Sequence, residues 1–291
     1  MSQPSVTIIG TGALGAALAK ALHENNYSIT SLFNRRFRKA EALSREVETQ
    51  YCSEFPESTQ ELGSIVFITV RDSEIKNVAQ NLGRITDDFT GYTIVHCSGS
   101  KAADVLRPVQ TKGARIAAFH PLQTFTHGSG ARDFRNIYFD VEADEETLNL
   151  LNDLANSLGA QTIEISAEAK PYLHAAAVIA SNYLVTLLNL SGKTAGLGGL
   201  DSDEALQALL PLVKNTLQNV ESKGTFKALT GPIKRGDAET VRLHLDLLSG
   251  NKNLLNVYKK LGLETLNIAV KGELISHQKQ REINELLKDY E

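Results

Sequence analysis

Three glycines stand at the spacing that cradles phosphate. Gly10-Thr11-Gly12-Ala13-Leu14-Gly15 follows the apolar run Val6–Ile9 and opens a segment of helical period, Ala13–His23. At such a junction the first glycine permits a tight turn. The second lets the backbone approach a pyrophosphate, and the third lets helix and strand pack closely. The first helical amides and the helix dipole then face two phosphate charges. Gly10 to Gly15 therefore read as a dinucleotide site. A glycine turn that binds nothing is the alternative, and the position at the first strand–helix junction of an alternating series argues against it.

The end of the second strand chooses between cofactors. An NAD site usually holds an acidic residue there to accept from the ribose 2′-hydroxyl. Between Glu24 and Glu41 there is none; the segment reads Phe33-Asn34-Arg35-Arg36-Phe37-Arg38-Lys39. A carboxylate would repel a 2′-phosphate, whereas guanidinium groups pair with one bidentately. Arginines at a helix start oppose its dipole, so an anionic partner is expected rather than a merely solvated basic face. Asn34, Arg35 and Arg36 thus predict NADP(H). Val70, Arg71 and Asp72 follow the third main strand, and Cys97, Ser98 and Gly99 follow the next. Both groups lie where ligands bind in open α/β sheets. Val70 could pack on the adenosine, and Ser98 and Gly99 could reach the nicotinamide ribose; ordinary turns are the competing reading.

For the reacting end, Lys170, His174 and Asn182 fall at i, i+4 and i+12 in an apolar helical segment and so share one face. Polar groups there need partners or a task. Reduction of a carbonyl needs a proton donor as the hydride arrives, and Lys170 or His174 could serve. His120, in Ala118-Phe-His-Pro-Leu-Gln-Thr-Phe125, ends a strand at the same edge and is a second candidate. Arg235, in Thr230-Gly-Pro-Ile-Lys-Arg-Gly-Asp237, is a third, for an anionic substrate group. Each could instead be structural: a surface lysine, a satisfied core histidine, an arginine tying helices together.

These residues require a frame. Val6–Ile9, Ile29–Phe33, Ile65–Val70, Thr93–Cys97 and Arg115–His120 are short runs rich in Val, Ile, Phe and Thr. Helix-period segments separate them at Ala13–His23, Arg36–Glu48, Ser73–Leu82 and Lys101–Lys112. Such alternation predicts an α/β fold with a doubly wound parallel sheet. A strand at Asn136–Val141, a helix at Glu145–Leu158 and a strand at Gln161–Ile165 would close it. After Ser166 strand signals vanish and leucine-rich helices follow, with a break at the four glycines of Gly192–Gly199. The predicted division is residues 1–165 for nucleotide binding and 166–291 for an all-α substrate and dimerisation domain.

Bulk composition narrows the partners. The chain has 291 residues, 30 Lys and Arg against 34 Asp and Glu, and a formal net charge of −4. That balance argues against nucleic acid or an anionic membrane as partner. Two cysteines, Cys52 and Cys97, without metal-ligand spacing predict no metal site and a reducing, cytoplasmic setting. Met1–Ser5 shows no signal-peptide pattern. Ala175–Leu190, interrupted by Ser181, Asn182, Tyr183, Thr186 and Asn189, falls short of the ~20 apolar residues of a membrane span and reads as a buried helix.

Gly10–Gly15, Asn34-Arg35, Cys97-Ser-Gly-Ser, Phe119-His-Pro-Leu-Gln-Thr-Phe, Lys170…His174-Ala-Ala-Ala and Thr230-Gly-Pro-Ile-x-Arg-Gly-Asp together resemble one family. It is the group of oxidoreductases with a Rossmann-like domain followed by the helical domain DUF2520. It is related to 6-phosphogluconate and β-hydroxyacid dehydrogenases, ketopantoate reductases and pyrroline-5-carboxylate reductases. The resemblance spans nearly the whole chain. It implies NADP(H) as cofactor, a homodimer through the helical domain, and an active site between the domains. In the β-hydroxyacid dehydrogenases a lysine and an asparagine four residues later handle the substrate. Lys170 matches the lysine, His174 stands in place of the asparagine, and His120-Pro121 occupies the place of the relatives' Ser-Gly-Gly loop. The expectation is NADPH-dependent reduction of a small carbonyl, foremost a ketopantoate-like 2-keto acid. A cyclic-imine reductase and a non-catalytic NADP(H) sensor are the alternatives.

Overall fold

The β-branched and aromatic runs form strands because helices cover both faces of the sheet they make. The computed structural model describes residues 3–290. Met1 and Ser2, where the segment tested for a signal peptide begins, and Glu291 lie outside the described residues. Two compact units result, Met1–Asn182 and Tyr183–Glu291.

In the first unit β1 (Val6–Ile9), α1 (Ala13–Glu24), β2 (Ile29–Phe33), α2 (Phe37–Glu46) and β3 (Tyr51–Ser53) come first. Then follow β4 (Ile65–Ile68), α3 (Asp72–Leu82), β5 (Thr93–His96), the single turn α4 (Arg107–Gln110) and β6 (Arg115–Pro121). β7 (Tyr138–Glu142), α5 (Glu145–Ser157), β8 (Gln161–Glu164) and α6 (Lys170–Ala180) complete it. One eight-stranded sheet has the order β3-β2-β1-β4-β5-β6-β7-β8. The chain direction reverses between β6 and β7, which pair antiparallel, while the other neighbours are parallel. The sheet is the expected doubly wound, mostly parallel one, with this single antiparallel neighbour. Residues 122–137 contain only a short 3-10 turn, Ala131–Phe134, and an antiparallel neighbour needs no crossover helix.

The expected helix Lys101–Lys112 is also absent. A 3-10 turn (Ala103–Leu106) is followed by one α-turn, because Pro108 has no amide to give a preceding turn. α5 follows its pattern closely: Asp144 caps it by accepting from the Thr147 amide at 2.9 Å, and Glu145 and Glu146 sit in the first turn.

The sheet's faces carry two separate cores, one against α1, α2 and α5 and one against α3. Phe139 stacks on Phe119 with centroids 3.9 Å apart and lies parallel to Phe134 at 6.0 Å. This column pins β6 to β7.

The second unit is helical: α7 (Asn182–Leu197), α8 (Ser202–Ala228), α9 (Pro232–Arg235), α10 (Ala238–Leu248), α11 (Lys252–Lys271) and α12 (His277–Asp289). Ile233, Val241, Leu245, Leu266, Ile283 and Leu287 are among its core residues. α7 runs on through Gly192 and Gly196, where a break was expected. A Cβ on Gly192 would meet the Ser202 carbonyl oxygen at 2.8 Å, so that glycine serves close approach. α8 is interrupted at Gly224 (φ 74°), and none of its residues is buried within the chain.

The long apolar segment departs furthest from expectation. It breaks at Ser181 (φ −111°, ψ −69°) rather than forming one helix, and it is not buried. By length and composition alone Lys170–Leu197 is apolar enough to cross a membrane. Nothing else in the described chain covers most of it, and Tyr172, Ile179, Tyr183 and Val185 stand exposed.

His96 closes β5 fully buried. Its Nδ1 accepts from the Ser98 amide (3.2 Å), so Nε2 carries the proton donated to the Ala102 carbonyl (3.1 Å). Burial pushes its pKa from 6.5 to about 4.

Two predictions follow from the packing. Phe139→Ala should cost about 3–5 kcal/mol of unfolding free energy, read by urea denaturation. The unfolded chain protonates His96 below pH 6.5 and the folded one only near 4. Stability from this residue is therefore complete above pH 6.5 and falls as pH drops toward 4, by roughly 3 kcal/mol. The loss between pH 7.5 and 4.5 should be larger by that amount in the wild type than in His96→Gln; equal losses would refute the assignment.

Candidate active site

The carboxyl ends of β1, β2, β4, β5 and β6 lie side by side. Gly10 ends β1 at φ +108°, and its amide donates to the Phe33 carbonyl at 2.8 Å. A Cβ on Gly10 would meet the Thr69 backbone at 2.9 Å, and one on Gly15 would meet the Gly10 carbonyl oxygen at 2.0 Å. A Cβ on Gly12 meets nothing within 4 Å. The outer glycines are therefore closed by the protein itself, and the middle one opens on free space. No side chain caps the start of α1, and its first turn holds no acidic residue. The amides from Gly12 to Leu14 fit a pyrophosphate.

Asn34 acts as a clamp. Its Nδ2 donates to Thr11 Oγ1 (2.7 Å), and its Oδ1 accepts from the Arg36 amide (2.8 Å). The β2 loop is thereby tied to the glycine loop. Arg35 is 83% exposed and lies 3.8 Å from Glu74, a loose surface pair that an anion could replace. Arg35, Arg36 and Lys39 line a cleft of about 480 Å³ with Gly10, Gly12 and Val70.

Further along the edge, Asp72 is already engaged. Its Oδ2 accepts from Ser98 Oγ (2.7 Å) and Ser100 Oγ (2.9 Å), joining the α3 start to the β5 loop. Arg71 is exposed at the N-cap of α3. Burial pushes the Cys97 thiol up to about 12, so it is a packed, unreactive group. Gly99 is buried and abuts the reacting end: a Cβ there would lie 2.6 Å from His174 Nδ1 and 2.8 Å from His120 Nε2. Only a glycine leaves room for both rings, whose centroids are 6.0 Å apart.

His120 and Asp140 are cross-strand neighbours on β6 and β7. His120 Nδ1 donates to Asp140 Oδ2 at 2.6 Å. Asp140 Oδ1 accepts from Lys170 Nζ, and neither Lys170 nor Asp140 has a side chain more than 2% exposed. His174 Nδ1 is buried with no hydrogen-bond partner. Both histidines line a pocket of about 520 Å³ that Asn182 also reaches. Its other walls include Leu122, Leu173, Ala177 and Val178.

His120, His174 and Asn182 thus share one cavity although the helix between them breaks at Ser181. Lys170 does not reach it; the ammonium faces inward to Asp140. Asp140 itself was missed. The available signal was a carboxylate set between Phe139 and Val141 in an otherwise apolar strand. Arg235 lies in the second unit, 3.6 Å from Asp237, and its carbonyl accepts from Lys279 Nζ at 2.8 Å.

The model of a Rossmann-like domain matches residues 1–121, and that of the domain of unknown function DUF2520 matches residues 137–265. No curated protein sequence matches the chain. Among solved structures, protein TM1727 from Thermotoga maritima is 27% identical with a TM-score of 0.72, over 92% of this chain and 99% of that one. A pyrroline-5-carboxylate reductase from Coxiella burnetii is 18% identical with a TM-score of 0.60, over 93% and 99%. A reductive aminase from Aspergillus terreus, in complex with NADPH and ethyl levulinate, is 16% identical with a TM-score of 0.62, over 97% and 99%. The last two are likenesses of fold. His120 falls in the first matched region and Asp140, Lys170 and His174 in the second, all within one compact unit. The chain is a Rossmann-like domain followed by a DUF2520 domain.

Proposed function

We propose that the protein is an NADP(H)-dependent oxidoreductase that reduces a small C=O or C=N bond. Gly99 carries this reading, because the loop that would meet the nicotinamide ribose touches both imidazoles of the neighbouring pocket. Gly10, Gly12 and the α1 amides would hold the pyrophosphate, and Arg35 and Arg36, on a loop braced by Asn34, the 2′-phosphate. Val70 and Ser98 would flank the adenosine and nicotinamide ends. The cofactor supplies hydride to the substrate carbon. His120 supplies the proton: its Nδ1 is taken by Asp140, which leaves Nε2, beside Gly99, to donate to the oxygen or nitrogen. His174 and Asn182 orient the substrate.

A small 2-keto acid of ketopantoate type is the first substrate class. The second is a cyclic imine, favoured by the fold shared with the pyrroline-5-carboxylate reductase and the reductive aminase. The working form is a cytoplasmic homodimer. Exposed Leu212 and Leu217 on α8, a 27-residue helix without a buried residue, need cover, and a second copy of the chain can give it.

Calorimetry tests the cofactor. NADPH should bind about 10–100-fold tighter than NADH, and the Arg35→Ala, Arg36→Ala double variant should lose that preference. Binding that ignores the 2′-phosphate sinks the proposal. NADPH oxidation with panels of 2-keto acids and cyclic imines then separates the substrate classes, and binding without turnover on any acceptor points to a sensor. Sedimentation equilibrium should give twice the chain mass, falling to one chain in Leu212→Glu, Leu217→Glu; a monomeric wild type rules out the dimer.

A further inference from the structure

We propose that Asp140 and Lys170 form a buried positioning pair that presents His120 to the pocket with its proton fixed on Nδ1, and that Lys170 does not touch the substrate. The inference rests on the reductase reading for its catalytic consequence, but its geometry can be tested without turnover.

Lys170 begins α6, and Pro171 occupies the first turn. An ammonium at a helix N-terminus opposes the dipole, and full burial strips its water. Both penalties fall on a residue whose one described side-chain partner is Asp140. The carboxylate uses one oxygen for the ammonium and the other for His120 Nδ1. Such a costly pair is explained by what it does to the third member. With Nδ1–H held by Asp140, the neutral ring exposes a lone pair on Nε2 and the imidazolium exposes an Nε2–H.

The charge balance makes both partners necessary. His120 faces Asp140 from β7 and His174 from α6. His96, Cys97 and Glu142 lie within electrostatic reach of Lys170, and Asp72 within reach of His96. His96 and Cys97 are held neutral by burial. Asp140 without Lys170 would be an uncompensated buried anion that locks His120 as imidazolium. Lys170 without Asp140 would be a buried cation that keeps the ring from charging and leaves its tautomer free. Together they let His120 pass between two states. As the hydride reaches carbon, the Nε2–H bond breaks, an O–H or N–H bond forms on the substrate, and the ring is left neutral with Nδ1–H still on Asp140. Solvent then returns the proton to Nε2.

The test uses the full-length protein with ring-¹⁵N histidine. In the neutral state, NMR of wild type should show His120 as the Nδ1–H tautomer. Asp140→Asn should convert it to a mixture or to Nε2–H, with kcat reduced about 10²–10⁴-fold at little change in KM. Lys170→Met should lower kcat about 10–100-fold and leave KM and NADPH affinity unchanged. If either single variant fails to fold, the uncharged pair Asp140→Asn, Lys170→Met retains both shapes and should still lose the tautomer. An Nε2–H tautomer in wild type overturns the proposal by itself, whether or not the protein is a reductase. So does a Lys170→Met variant whose KM rises while His120 keeps its Nδ1–H tautomer, since that is a substrate contact. Failure of NADPH to bind wild type would instead strike the reductase reading.

Discussion

The Asp140 carboxylate, taken out of water between an ammonium and an imidazole, sets the arrangement of the reacting end. A buried charge must be paired and hydrogen-bonded or it destabilises the fold. Both of its oxygens are committed, one to α6 and one to β6. Helix and strand are thereby tied at one point. The aromatic column of Phe119, Phe139 and Phe134 lies beside this point and holds the two strands together without polar help.

The second organising constraint is the shared carboxyl edge of the parallel strands. Loops after β1, β2, β4 and β5 converge there, and each is braced by hydrogen bonds that leave its neighbour's ligand face open. Asn34 ties the β2 loop to the glycine loop, Thr69 Oγ1 donates to the Gly10 carbonyl at 2.5 Å, and Asp72 ties α3 to the β5 loop. Asn34, Thr69 and Asp72 thus brace these loops to one another.

What the sequence disclosed and what it hid have physical reasons. The glycine loop was legible because Gly10 and Gly15 answer steric demands that no other residue meets, while Gly12 leaves open space between them. The basic stretch after β2 was legible through the missing carboxylate. The nature of Lys170's task was not, because helical spacing reports which residues share a face and not which way a four-carbon stem turns. Its partner lies 30 residues away on a strand whose direction the pattern leaves open. The break at Ser181 and the passage of α7 through Gly192 were likewise hidden, since both depend on what packs alongside. The exposure of the apolar segment from Ala175 onward was misjudged because a hydrophobic pattern states that cover is needed and does not state what provides it.

The reversal of direction between β6 and β7 has a consequence for how this protein can vary. His120 and Asp140 oppose each other across an antiparallel pair, and side chains in a strand alternate between its two faces. A slip of the pairing by a single position would send the carboxylate to the far side of the sheet, away from both the imidazole and the lysine. Apart from Leu122, Gln123 and Thr124, which line the pocket, and Phe134 in the aromatic column, the loop to residue 137 can lengthen or shorten without touching the chemistry. The parity of the ladder cannot. Insertions in relatives should therefore collect in that loop, and strand-internal insertions should be tolerated only in steps of two.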